Sequence, residues 1–323
     1  MKINFPLLAL AVGAFAIGTT EFSPMGFLPE IANDLSVSIP QAGLLISAYA
    51  VGVMIGAPLM TLWLARFPKK TALILLMAIF TIGNVLATVA PDYMSLMGAR
   101  LITSLNHGAF FGLGSVVAAS VVPKDKQASA VAMMFMGLTI ANIGGVPLAT
   151  WLSQNTSWRM AFAAISILGI MTILALWKAL PQDHDVVKPN VAKELRVLTR
   201  APVVLALLTT VMSAGAMFAL YTYIAPSLHV FMQASPQTIT LMLVLIGIGF
   251  SIGNHLGGKF ADLSLEKTLI GFLILLMVMM LVFPVLAQTT VGAAIGLVIW
   301  GTAAFAVVPV SYTHLRAHET DFY

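Results

Sequence analysis

Residues 38–71 read SIPQAGLLISAYAVGVMIGAPLMTLWLARFPKKT, and residues 235–268 read SPQTITLMLVLIGIGFSIGNHLGGKFADLSLEKT. Overlaid without gaps at a fixed offset of 197 residues, they pair Ser38 with Ser235, Leu44 with Leu241, Gly52 with Gly249, Ile55 with Ile252, Gly56 with Gly253, Leu59 with Leu256, Lys70 with Lys267 and Thr71 with Thr268. The same offset pairs Gly18 with Gly215 and Pro29 with Pro226. Each stretch holds an apolar run long enough to cross a hydrocarbon core of about 30 Å as a helix. A unit that recurs in the same sense after a linker reads as two equivalent helical bundles with a cavity between them.

Composition agrees with this reading. Of 323 residues, 59% are apolar and 9% charged, more apolar surface than a soluble fold hides. No alternation of apolar and polar residues marks barrel strands, and backbone groups must be paired inside lipid, so helices are the expected spanning elements. Ten blocks qualify: Phe5 to Leu28, Gln41 to Leu64, Thr71 to Ala90, Tyr93 to Val121, Gln127 to Leu152, Arg159 to Leu180, Pro202 to Pro226, Ile239 to Phe260, Thr268 to Ala287 and Val291 to Pro309. The first is too long for a cleaved signal peptide and carries Glu21, so it is kept in the fold. A cytoplasmic N-terminus puts thirteen Lys and Arg residues inside and leaves Arg159 alone outside, the asymmetry of a multi-pass bacterial inner-membrane protein. The net charge of +4 then reflects topology and lipid contact rather than nucleic acid.

The expected organisation is an N-terminal six-helix bundle over 1–180, a polar cytoplasmic linker over 181–201, and a C-terminal bundle over 202–309 of which four helices are present. Val310 to Thr320 resembles the translation of a transposase-based sequencing-adapter end. Residues 310–323 are therefore expected to be a non-native tail, and two of twelve helices to be missing.

The loop motifs resemble those of the major facilitator superfamily. That family's pattern G-x-x-x-D-R-x-G-R/K-R/K is matched in the second half by Gly258, Asp262 and Lys267. In the first half Arg66, Lys69 and Lys70 are kept, while Thr61, Ala65 and Pro68 replace the glycines and the aspartate. The resemblance implies a gating loop that clamps helix ends. The run from Gly137 through Asn142, Gly144, Gly145 and Pro147 to Ala149 resembles the antiporter motif of efflux members, with Ala149 in place of a glycine. Gly18 to Gly26 and Asn106 to Gly112 narrow the likeness to the group of arabinose-efflux-permease-like drug:proton antiporters. What this implies is an all-α major facilitator fold, working as a monomer that exchanges protons for a small organic solute or drug by alternating access. A sugar or nucleoside efflux carrier, a proton-independent facilitator and a non-transport receptor are the alternatives.

Ionisable groups inside spans are costly and mark function. Glu21 and Arg100 lie deep in the first and fourth spans, both in the outer half of the membrane, and are expected to pair as a proton-coupling device. Glu30 and Asp34 lie at or past the end of the first span and read as solvated loop charges. His107, Asn106, Asn142, Tyr49, Tyr221 and Asn254 are candidates for the substrate cavity, His107 foremost because imidazole both binds and titrates near neutrality. With no cysteine, thiolate metal sites are excluded, no H-E-x-x-H or nucleophile-base pattern supports a membrane-embedded enzyme, and no cofactor is expected.

Overall fold

The computed structural model describes residues 4–181, 201–261 and 263–320. Asp262 and residues 182–200 of the expected linker lie outside them. In chain order the helices are α1 (Phe5–Gly26), α2 (Leu28–Asp34), α3 (Ile39–Leu64), α4 (Lys69–Thr88), α5 (Tyr93–Ser104), α6 (His107–Ser120) and α7 (Gln127–Ile140), a π-helical turn (Ala141–Gly145), then α8 (Val146–Asn155), α9 (Trp158–Ala179), α10 (Ala201–Thr222), α11 (Ile224–Met232), α12 (Pro236–Ala261), α13 (Leu265–Leu286) and α14 (Thr290–Thr320). The helical backbone of α14 continues past Pro309 to Thr320. Among the described residues nine stretches are long and apolar enough to cross a membrane, and a tenth is a pair, Leu207–Thr222 with Ile224–Met232, bent by 53°. The chain divides into two compact units, Met1–Pro189 and Asn190–Tyr323.

The internal repeat reaches the backbone. α3 and α12 each have 26 residues and start 197 residues apart. Two non-glycine residues among those described have left-handed backbones, Ser36 (φ 53°) and Gln233 (φ 51°), again 197 apart. Two residues later a serine caps the next helix in each half: Ser38 Oγ accepts from the Gln41 amide at 3.3 Å, and Ser235 Oγ from the Thr238 amide at 3.2 Å. These caps satisfy amides that helix starts leave orphaned. Asn4, Asp92 and Ser157 serve the starts of α1, α5 and α9 in the same way.

In the first unit α1 is the central element, packed on α7, the π turn, α8 and α9, with α3, α4 and α6 also touching it. Leu10, Ile17, Phe80, Phe110 and Phe162 fill the interior. Helices approach this closely in lipid where small residues meet: a Cβ on Gly137 would lie 2.0 Å from the Ala11 carbonyl oxygen. In the second unit α12 runs along α14, where a Cβ on Gly253 would meet the Thr302 carbonyl oxygen at 2.2 Å. Tyr221, Phe250, Trp300 and Phe305 form its buried aromatic cluster, with Phe250 and Phe305 stacked at 4.2 Å.

Four spans expected to be continuous are interrupted. The first breaks at Phe27, the fourth at Leu105 and Asn106, the fifth widens into the π turn just before Pro147, and the seventh breaks at Tyr223. Pro147 and Pro29 lack the amide that would extend a regular ladder across their own turns. The break at Leu105 has no proline, and glycine enters only at Gly108, so it gave no composition signal.

Candidate functional site

Four polar side chains from four helices meet in the first unit. Glu21 comes from α1, Tyr49 from α3, Arg100 from α5 and His107 from the start of α6. The break before His107 ends α5 and begins a new helix, and the imidazole at its first position reaches two partners. Its Nε2 lies 3.9 Å from Glu21 Oε2, and its Nδ1 lies 3.1 Å from the Tyr49 hydroxyl. When that hydroxyl donates to Nδ1, the ring proton sits on Nε2 and points at the carboxylate. Phe111 packs on His107 at 5.2 Å and stacks on Phe135 at 5.1 Å, giving the cluster an aromatic wall.

Arg100 is 1% exposed, and its place follows from a proline. Pro24 lies inside α1 and has no N–H, so the carbonyl of Thr20, four residues earlier, has no helical donor. Arg100 Nη1 donates to that carbonyl at 2.9 Å, and its guanidinium carbon lies 4.2 Å from the centre of the Tyr49 ring. Nε and Nη2 are buried and have no partner among the described residues. Among the described residues Glu21 has no salt bridge to Arg100: Glu21 Oε2 lies 3.9 Å from His107 Nε2, and Arg100 is tied to the α1 backbone and to Tyr49.

The other expected site residues fall in different places. Among the described residues, Asn106 is fully buried at the break with both amide atoms unpartnered, and Asn142, in the π turn, donates to the Leu138 carbonyl at 3.0 Å while its Oδ1 has no partner. Gly137 and Gly145 press against α1, with Gly145 facing Thr19, whereas Gly144 faces open space; Pro147 is buried at the start of α8. Tyr221 is buried and Asn254 exposed, both in the second unit. In the first loop Arg66 stacks over Trp63 and Phe67 and donates to the Trp63 carbonyl. Lys70 Nζ donates to the Leu180 carbonyl at 2.7 Å, a cation at a helix C-terminus where the dipole favours it; Lys69 lines a small recess with it. Lys267 borders an apolar cavity of about 350 Å³ with Phe260 and Phe272, and Gly258 faces open space. Asp262 lies outside the described residues.

Glu30 and Asp34 are not simple solvated charges. Asp34 Oδ2 accepts from Trp158 Nε1 at 3.0 Å and from Arg159 Nη1, whose Nη2 donates to the Ala90 carbonyl at 2.9 Å. Those donors hold the Asp34 carboxyl below its ordinary value. Glu30 keeps a buried oxygen without a partner, and burial pushes its carboxyl up. The sequence reading also passed over Thr20 and Asn84, both fully buried. The legible signal for Thr20 was Pro24, four residues on.

The Major Facilitator Superfamily model matches residues 10–318. The chain is 66% identical over 309 residues to a protein of Escherichia coli (strain K12) described as "Inner membrane transport protein YdhP", a match spanning 96% of this chain and 79% of that one. It is 31% identical over 261 residues to the "Chloramphenicol resistance protein" of Streptomyces lividans, covering 80% of this chain and 67% of the other. Among solved structures, the D-xylose-proton symporter superposes with a TM-score of 0.76 at 14% identity over 97% of this chain and 82% of its own, a likeness of fold. The chain belongs to the major facilitator superfamily, and is a multi-pass transporter of the bacterial inner membrane rather than an enzyme.

Proposed function

We propose that the protein exports a small organic solute in exchange for protons, and that Glu21 is the group that carries the proton. The supporting observation is the cluster itself: an acid, an imidazole and a guanidinium held together inside the membrane-spanning part of one half, where an ionisable group is expensive unless it serves a purpose. Glu21 faces His107 and shares the cluster with Arg100, so a proton taken by the carboxylate removes the negative charge that these neighbours face. A change in helix packing that opens the 3.9 Å gap or wets it changes which state is favoured. Tyr49 fixes the imidazole, Arg100 supplies a fixed positive charge, and the π turn with Pro147 gives the fifth span a place to flex as access alternates. The gating role of Arg66, Lys69 and Lys70 and the cavity roles of Asn106, Asn142, Tyr221 and Asn254 belong to the same reading.

Likeness to a chloramphenicol resistance protein makes chloramphenicol the first probe. In inside-out vesicles carrying a pH gradient, its addition is expected to release protons and to drive its own uptake, and Glu21→Gln to abolish both while insertion into the membrane is unchanged. Chloramphenicol movement that ignores the gradient would remove proton coupling. No movement at all would remove the drug-export reading and turn attention to sugars.

A further inference from the structure

Threonines in membrane helices ordinarily return their hydroxyl to their own backbone four residues back. Thr19, Thr81, Thr88 and Thr103 do so, to Phe15, Met77, Asn84 and Ala99. Thr20 does not. Its hydroxyl crosses to α4 and donates to Asn84 Oδ1 at 2.7 Å, while Asn84 Nδ2 donates to its own Phe80 carbonyl at 2.9 Å. Thr20 and Asn84 are both fully buried, so this bond is shielded from water. Thr20 is thus held twice, by Asn84 through its hydroxyl and by Arg100 through the carbonyl that Pro24 leaves free. The third side of the triangle is closed at Gly83, where a Cβ would meet the backbone of Thr103 on α5 at 2.7 Å, one helical turn from Arg100.

We infer that Asn84 is a positioning residue: through Thr20 it fixes the α1 backbone that Arg100 grips, and thereby fixes Arg100 relative to Glu21, the next residue along. The inference rests on the proton-carrying role proposed for Glu21. The titratable groups facing Glu21 are Tyr49 from α3, Arg100 from α5 and His107 from α6. The other elements packed on α1 carry their ionisable residues, Lys69 and Lys70 on α4 and Arg159 and Lys178 on α9, at their ends. Of the three facing groups, Arg100 bears a permanent charge, so its distance from Glu21 is, beside burial, one of the terms that set how readily the carboxyl holds a proton. Releasing Thr20 from Asn84 frees the carbonyl, and with it the guanidinium, to move.

Infrared difference spectroscopy of the full chain in phosphatidylcholine vesicles reads this without a transport substrate. The protonated-carboxyl band that disappears in Glu21→Gln is titrated with pH. Thr20→Val and Asn84→Ala are expected to move its midpoint by about one pH unit, the size of one modest electrostatic change, and Thr20→Ser to restore it. Thr81→Val removes a hydroxyl that serves its own helix and is expected to leave the midpoint in place. A band that titrates but stays put in both Thr20→Val and Asn84→Ala overturns the positioning role and leaves proton coupling standing. Absence of any band lost in Glu21→Gln overturns both.

Discussion

In the first half Glu21, Tyr49, Arg100 and His107 converge; at the offset of 197 residues the second half carries Phe218, Ile246, Leu297 and Ala304. The backbones of the two halves agree closely, down to the left-handed residues Ser36 and Gln233 and the serine caps that follow them. At these four positions the side chains change from polar or charged to apolar. The span that carries Arg100 and His107 changes too: it is broken at Leu105 in the first half, and the corresponding stretch of α14 runs straight through Thr302. A duplicated frame therefore does not require duplicated chemistry. Caps, spans and glycine contacts set the frame, and a handful of buried polar residues give the first half a polar cluster that these positions of the second half lack.

Exchanging residues across the repeat breaks this comparison most severely. Leu297 is fully buried, so Leu297→Arg places a cation among apolar side chains without an acidic partner and is expected to destabilise the second half by about 3–5 kcal/mol, seen as loss of folded protein in a detergent melt. The reverse exchange, Arg100→Leu, is expected to fold. It strands the Thr20 carbonyl, at a cost of about 1–3 kcal/mol, and reduces proton-driven transport to background. If Leu297→Arg is tolerated as well as Arg100→Leu, the asymmetry between the halves is not one of burial and charge.

A smaller effect separates glycines that hold helices together from those that do not. Gly137→Val drives a side chain into the Ala11 carbonyl and is expected to cost about 1–3 kcal/mol in thermal unfolding as an overpacked contact. Gly144→Ala, in the same motif, meets nothing within 4 Å and is expected to unfold like the parent. Equal losses at both positions would mean that the motif acts through backbone flexibility at the π turn rather than through contact with α1.

The number of spans and their duplication were legible because apolar length and a fixed offset survive in the residues themselves. The polar cluster was only half legible. Glu21 and Arg100 stood out as charges in apolar runs, but their partners did not, since lipid and helix interior are equally apolar and the spacing of residues does not say which face of a span is inside. Tyr49 and His107 read as cavity residues for that reason, and Thr20 and Asn84 as ordinary polar residues. The reading that paired Glu21 with Arg100 did not include the break at Leu105 that brings His107 to the carboxylate. Pro24 was in view, and the carbonyl it frees was the clue that went unused.

The smallest effect concerns Asp34, where α2, the end of α4 and the start of α9 are pinned together outside the membrane-spanning segments. The counterpart of Asp34 in the second half is Phe231. Asp34→Asn weakens the contact with Arg159 and Trp158, and with nearly half of the Asp34 side chain exposed (48%) the loss is expected to be about 1 kcal/mol or less. Its pH dependence has a definite sign. A carboxyl held below its ordinary value stabilises the folded state above that value and ceases to do so as pH falls through the lowered one. The difference in melting temperature between Asp34→Asn and the parent should therefore stay constant from about pH 8 to about pH 5 and close below the ordinary aspartate value of 3.8. A difference that instead closes between pH 7 and 5, as histidine would titrate, would show that Arg159 and Trp158 are not what holds Asp34.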